Sequence, residues 1–266
     1  MLKDITIGQY FPGDSIIHKL DPRGKILLTL ALIVLVFLAT DLAAYALLAV
    51  FLFSAAGLAQ LSRRRLLRSV RPLWPILLIT FLVHTFNGQG EILFSLFIFK
   101  AGSDGFLLGL TMTIRIIFLI LFSSLITMTT SPLELTDGLE RLLWPFKKIG
   151  LPAHELAMMM TIALRFVPTL IQETERIMTA QTARGAEFSS GSLSKRVKNL
   201  LSLVVPLFIS AFRRADELAL AMEARCYRGG EGRTRMNELA MGARDVCAAL
   251  VVGVLIIAVC YIKWCF

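Results

Sequence analysis

The stretch FLLGLTMTIRIIFLILFSSLITMTTSPLELTDGLERLLWP, Phe106 to Pro145, changes its preferred solvent halfway along. Phe106–Met128 is an apolar run long enough to cross a hydrocarbon layer as one helix. The run stops at Thr129-Thr130-Ser131-Pro132. Ser131 reads as an N-cap and Pro132 as the first helical position of a new segment, with Pro145, Gly150 and Pro152 as stops. That new segment mixes Glu134, Asp137, Glu140 and Arg141 with leucines, so it is amphipathic and not immersed in lipid.

Working towards the N-terminus, apolar blocks recur at Ile26–Leu61 and Leu73–Phe86, and a last one lies at Val246–Ile262. The chain is 56% hydrophobic, with a mean hydropathy of +0.71. Soluble domains sit near 45–50% apolar, so the excess needs a membrane. Ile26–Leu61 is too long for one span and short for two, which predicts a tight hairpin hinged at Thr40-Asp41 with Asp41 at the outer surface. The third span starts behind RPLWP and ends near NGQGE. The run Ile92–Phe99 is too short to cross and is expected in the outer rim. The first 25 residues are polar and mixed in charge, without the early apolar core of a signal peptide.

The net charge of +9 is informative through its placement. Lys3, Lys19, Arg23 and Lys25 precede the first block, and Arg63, Arg64, Arg65, Arg68 and Arg71 follow the second. The positive-inside rule then predicts a cytoplasmic N-terminus, a cytoplasmic Arg63–Arg71 loop and an outer C-terminus. These arginines flank apolar spans without an aromatic-basic surface, so they point to membrane lipid and not to nucleic acid. Cys226, Cys247, Cys260 and Cys265 show no CxxC spacing, which argues against a metal site or a disulfide framework.

From Ser131 to Met241, twelve acidic and fifteen basic residues interleave with apolar ones. Two long helices are predicted there. One runs from Ala153 to Arg184 and is kinked near Pro168; the other runs from Leu193 to Arg225 and is kinked near Pro206. Met158–Met160 on the first suits either ordinary core or a surface that slides against partners. A polar stretch after Arg225 leads to the last span.

Enzymatic constellations are missing. No GxxxxGK[ST] or GxSxG occurs, and in HEL at His154 the second zinc ligand of HExxH is replaced by Met158. No catalytic residue, metal ligand or cofactor is therefore expected. Paired carboxylates inside the apolar blocks, which a self-sufficient secondary carrier would need, are also missing. That carrier remains the alternative reading. Arg115, about ten residues into its span, is expected to face the bundle and cap carbonyls or snorkel. His84 reads as a satisfied packing group.

Both long helices end on an Ala-Arg pair, Ala183-Arg184 and Ala224-Arg225. A cation in the last turn complements the helix dipole, and Gly185 supplies a left-handed cap for the first. Cys226 is not a natural left-handed cap, so capping explains the second ending less well. Small alanines beside two protruding guanidinium groups leave room for acidic grooves on a partner, each fork holding a carboxylate bidentately.

At these residues the chain resembles the transmembrane T component of energy-coupling factor (ECF) transporters, the EcfT/CbiQ family. The likeness runs through GQYFPGDSIIHKLDPRGKI, the segment from Thr129 to Glu173, AQTARGAE and AMEARCYRGGEGRTR. It implies an all-α polytopic protein of about five transmembrane helices, with long Pro-kinked amphipathic cytoplasmic coupling helices between the fourth and last spans. The implied division is a cytoplasmic N-terminal segment 1–25, a four-span region 26–129, a coupling region 130–241, and a last span with outer C-terminus 242–266. Ala183-Arg184-Gly185 matches the family's Ala-Arg-Gly motif in full, and Ala224-Arg225-Cys226 departs at its third residue. In the family each Arg docks into one of two ABC-type ATPase subunits. The resemblance further implies that Pro168 and Pro206 act as hinges, that a substrate-binding S component takes up a vitamin or transition metal, and that ATP is hydrolysed in the partner chains of a bacterial or archaeal cell membrane.

Overall fold

The computed structural model describes residues 10–87, 92–96, 99–186, 188, 192–229 and 240–265. The N-terminal Lys3, most of the NGQGE turn, and the polar stretch 230–239 expected before the last span lie outside the described residues. Two compact units emerge, one within Gly8–Leu139 and Asn237–Phe266, the other within Glu140–Met236.

The first unit contains α1 (Pro22–Leu38), α2 (Leu42–Leu58), α3 (Arg63–Arg68), α4 (Trp74–Asn87), a strand pair β1 (Ile92–Leu96) and β2 (Phe99–Gly102), and α5 (Ser103–Thr129). After an intervening α6 (Pro132–Leu143), which runs across the division, and two helices of the other unit, α9 (Ala243–Cys265) completes it. Arg63–Phe86, Asp104–Thr129, Ala153–Ala183 and Ala243–Trp264 are each long and apolar enough to cross a membrane. The helices α1 and α2 have 17 residues each, roughly 26 Å at 1.5 Å per residue, just short of a ~30 Å hydrocarbon core. The architecture is that of an all-α, multi-pass membrane protein.

Local chemistry explains the helix boundaries. Asp21 caps α1, its Oδ1 accepting from Arg23 N at 2.9 Å, with Pro22 at the first helical position. The sharp joint between α1 and α2 falls at Ala39–Asp41, and Asp41 is the N-cap residue of α2. At α6 a reciprocal capping box forms: Glu134 N donates to Ser131 Oγ at 3.2 Å, and Ser131 N donates to Glu134 Oε2 at 3.0 Å.

The core of this unit is built by one face each of α1, α2, α5 and α9. Leu35, Val36, Leu48, Leu52, Phe122 and Val259 are all within 1% of complete burial. Tyr45 stacks on Phe118 and Phe118 on Phe122, with ring centroids 5.9 and 6.1 Å apart. The opposite face of α1 leaves Leu27, Leu30, Val34 and Phe37 exposed, as an apolar solvent requires. The first and last spans are stitched at their starts: Asp245 Oδ1 accepts from Asp21 N at 2.7 Å, and its Oδ2 accepts from Gly242 N at 2.8 Å.

Arg115 faces the bundle. Its Nη2 donates to the Ala39 carbonyl at 3.3 Å, at the C-terminus of α1, where Tyr45 Oη also donates at 3.0 Å. His84 Nδ1 pairs with the Thr80 carbonyl of its own helix at 2.8 Å.

The structure adds detail to two sequence readings. Residues of the run Ile92–Phe99 take part in an antiparallel ladder, Leu96 pairing with Phe99 and Ser95 with Lys100. Extended backbone shielded from water satisfies its polar groups by pairing, and the aromatic and branched residues there favour a pleated strand. The helix Ala153–Ala183, expected to be amphipathic with an apolar first half and a charged second half, also meets the length and hydropathy of a span, because its first half carries few charges.

The second unit holds α7 (Ala153–Ala183) and α8 (Leu193–Ala224), preceded by a 3-10 turn Trp144–Ile149 closed by Gly150 at φ 90°. Both helices run continuously through Pro168 and Pro206. The pair is antiparallel: Gln181 Nε2 donates to the Ser202 carbonyl, and Arg214 Nη2 lies 3.4 Å from Glu173 Oε2.

Candidate functional site

The two Ala-Arg endings fold alike. Arg184 sits at φ −88°, ψ 7° and Arg225 at φ −91°, ψ 11°, each the last near-helical residue. The next residue is left-handed in both, Gly185 at φ 85° and Cys226 at φ 54°. The hydrogen bonds match as well. Gly185 N donates to Thr182 O and Ala186 N to Gln181 O, while Cys226 N donates to Glu223 O and Tyr227 N to Met222 O, all between 2.8 and 3.0 Å. Each is a Schellman ending, which satisfies two carbonyls that a helix would otherwise leave open. The expectation that Cys226 is unsuited to this role is therefore corrected. The cap forms with a side chain in place, at a cost of about 1–2 kcal/mol relative to glycine.

The geometry does two things for the arginines. The tight turn removes the backbone from the axis beyond each helix, and Ala183 and Ala224 offer little bulk beside it. Arg184 and Arg225 are both exposed, and among the described residues neither makes an ion pair. Each is a free planar fork at a helix tip, suited to a carboxylate-lined groove.

The antiparallel pairing separates them. Tyr227 reaches His154 at the start of α7, whereas Arg184 lies at its far end. The thirty residues from 154 to 184 span roughly 45 Å at 1.5 Å per residue, so the two tips stand at opposite ends of the helix pair.

The second tip carries a tether that sequence reasoning missed. His154 Nε2 lies 3.1 Å from Tyr227 Oη, and His154 Nδ1 lies 3.0 Å from Glu140 Oε1 on α6. Glu140 is 5% exposed, so the carboxylate is held out of water with the imidazole against it. Three residues distant in the chain thus brace the turn that presents Arg225. No spacing in the sequence signals this, because the partners lie 14 and 73 residues apart.

Between the tips, α8 presents an uncovered apolar stripe. Val197, Leu201, Val204, Phe208 and Phe212 are all exposed at helical spacing, with the rings of Phe208 and Phe212 6.3 Å apart. Leu156, Met159 and Met160 are exposed on α7. Among the described residues no group of three or more His, Cys, Asp or Glu is placed to hold a metal ion.

Comparison with known proteins gives a consistent result. The family model described as CbiQ, cobalt transport protein, matches residues 13–236. A protein of Acidaminococcus fermentans called energy-coupling factor transporter transmembrane protein EcfT is 57% identical over 264 residues, covering 99% of this chain and 98% of its own length. Proteins of the same name from Thermosediminibacter oceani and Bacillus subtilis are 52% and 45% identical, covering 96% and 97% of this chain and the same shares of their own.

Proposed function

The chain belongs to the CbiQ family and is a transmembrane component of an energy-coupling factor transporter, and on that premise we propose that it couples two separate ATPase subunits to a substrate-binding S component. The observation carrying this reading is the duplicated helix ending: two arginines without an ion pair among the described residues, on matching Schellman turns at opposite ends of one antiparallel pair.

A single groove cannot take both tips across roughly 45 Å, whereas two motor chains can take one each. Each guanidinium then donates bidentately to a carboxylate, and truncating one side of such a buried pair costs about 2–5 kcal/mol. When ATP draws the motors together, both ends of the α7–α8 pair are displaced at once. Pro168 and Pro206, which lack the N–H of an interior helical residue, are the hinge points of that motion. The apolar stripe of α8 is the surface on which the S component rests and tilts, releasing a vitamin or transition metal inward. In this scheme residues 130–241 form the cytoplasmic coupling region, the N-terminus is inside and the C-terminus outside. The chain itself hydrolyses nothing, and the ATPase activity belongs to the partners.

Arg184→Glu combined with Arg225→Glu tests the scheme. The double variant inserts and folds, but loses its ATPase partners on co-purification and fails to support uptake. Either single change weakens assembly less, because the other anchor maintains a high local concentration. Unchanged retention and uptake in the double variant would leave both arginines as ordinary helix caps.

A further inference from the structure

The membrane unit contains a cavity that the coupling scheme does not use. It measures about 450 Å³ and lies among the adjoining ends of α1, α2, α5 and α9, within the ~300–1,000 Å³ range of small-molecule sites. Its walls are apolar, with Leu28, Leu32, Phe51, Leu125, Val251 and Val252 prominent. The space exists because Ala55, Ala243, Cys247 and Ala248 are small where larger side chains would close it.

The charges are one-sided. Among the described lining residues only Lys25 and Arg244 are charged, both positive and both near the start of a helix. These two starts adjoin, as the Asp245 Oδ1 bond to Asp21 N shows. Three carboxylates outside the lining act on Lys25, and each is engaged elsewhere: Glu134 accepts from Ser131 N, Asp245 accepts from Asp21 N and Gly242 N, and Asp21 accepts from Arg23 N and pairs with the Arg23 guanidinium. Lys25 Nζ donates to the carbonyls of His18 and Thr129 at 2.9 and 3.1 Å, leaving one of its three donors. Arg244 is exposed, and among the described residues it makes no ion pair.

Depth supplies the remaining constraint. From Lys25 to Leu32, and from Ala243 to Val252, the lining extends about two to two and a half helical turns, or roughly 10–14 Å. That approaches half of a ~30 Å hydrocarbon core, the thickness of one leaflet. A site with cations at the membrane boundary and an apolar slot one leaflet deep matches one class of molecule. We propose that this cavity binds an anionic phospholipid, with the phosphate on Arg244 and Lys25 and one acyl chain between α1, α2, α5 and α9. The α2 end of the cavity leads into Arg63, Arg64, Arg65 and Arg68, which enrich anionic lipid at the same boundary.

The full-length protein is reconstituted in vesicles of equal phosphatidylglycerol and phosphatidylcholine, extracted in mild detergent, and weighed by native mass spectrometry. Wild type retains one phosphatidylglycerol in clear preference to phosphatidylcholine. Arg244→Gln retains it about tenfold less, as the loss of a charge-assisted contact implies, and Arg244→Lys largely restores it. Ala248→Phe, which fills the slot, removes retention of both lipids while leaving the helical circular dichroism unchanged. Equal retention of the two lipids by wild type, or undiminished phosphatidylglycerol on Arg244→Gln, overturns the proposal. A lipid-free dimer would assign the cavity to a second copy of the chain and overturn it as well. Arg184 and Arg225 lie outside this site, so their partner retention reads out the coupling scheme separately.

Discussion

Gly185 and Cys226 hold the same left-handed position, one residue beyond Arg184 and Arg225, although only one of them lacks a Cβ. Nothing among the described residues lies within 4 Å of a Cβ built on Gly185, so the cost of a side chain at this position is one of backbone conformation and not of space.

Cys226→Gly should therefore relieve strain of about 1–2 kcal/mol at the end of α8 without altering its contacts. Hydrogen exchange checks this. Protection of the Cys226 and Tyr227 amides rises in the variant. The reverse change, Gly185→Cys, lowers protection at Gly185 and Ala186, where the equivalent bonds form.

Tyr227→Phe removes the hydroxyl 3.1 Å from His154 Nε2 while retaining the ring. The net cost is about 0.5–1.5 kcal/mol, confined to the second tip. Faster proteolysis or exchange around Arg225, with the Arg184 turn unchanged as internal control, is the expected signature. Equal loosening of both turns would show that the bond does not brace this end locally.

The Ala39 carbonyl accepts from both Arg115 and Tyr45 inside the membrane unit. Arg115→Leu alone leaves Tyr45 as donor, and Tyr45→Phe alone leaves Arg115. With both changes the buried carbonyl is left without either donor, which costs about 1–3 kcal/mol. A double-mutant cycle on thermal unfolding in detergent should thus show a coupling of that order, and additive single effects would count against a shared acceptor.

Gly109 on α5 allows its helix to approach α4 closely. A Cβ there would stand 2.9 Å from the Phe81 carbonyl and 2.9 Å from Thr85 Oγ1. Because a main-chain oxygen cannot step aside, Gly109→Ala should destabilise the α4–α5 pair by about 1–3 kcal/mol. Gly253→Ala on α9 meets nothing within 4 Å and serves as the matched control, neutral or slightly stabilising. Thermal scans of the two variants side by side decide the matter.

Much of this was readable along the chain because the causes are local. Ser131 and Pro132 announce α6, Gly150 and Gly185 announce helix ends, and the apolar blocks announce the membrane unit through length alone. Arg115 could be assigned to the bundle because lipid is a poor solvent for its charge. What stayed hidden depends on partners far away in sequence. The Glu140–His154–Tyr227 brace and the Asp245 bond to Asp21 have no periodicity to betray them. The strand pair at Ile92–Gly102 was missed because a short apolar run looks the same whether it lies along a rim or folds back on itself. Cys226 misled for a different reason: the preference for glycine at a left-handed cap is only about 1–2 kcal/mol, which the rest of a well-formed Schellman turn can absorb.

The Asp21–Asp245 bond also bears on how the chain is made. Its two residues are 224 positions apart, so at about 5–20 residues per second a ribosome needs roughly 11–45 s to supply the second after the first. Throughout that interval the Asp21 amide lacks its Asp245 acceptor, and the face of α1 that receives α9 waits for that helix. Closure of this bundle is thus built in as a late step. Truncation anywhere before residue 245 leaves an unfinished bundle for membrane quality control to find.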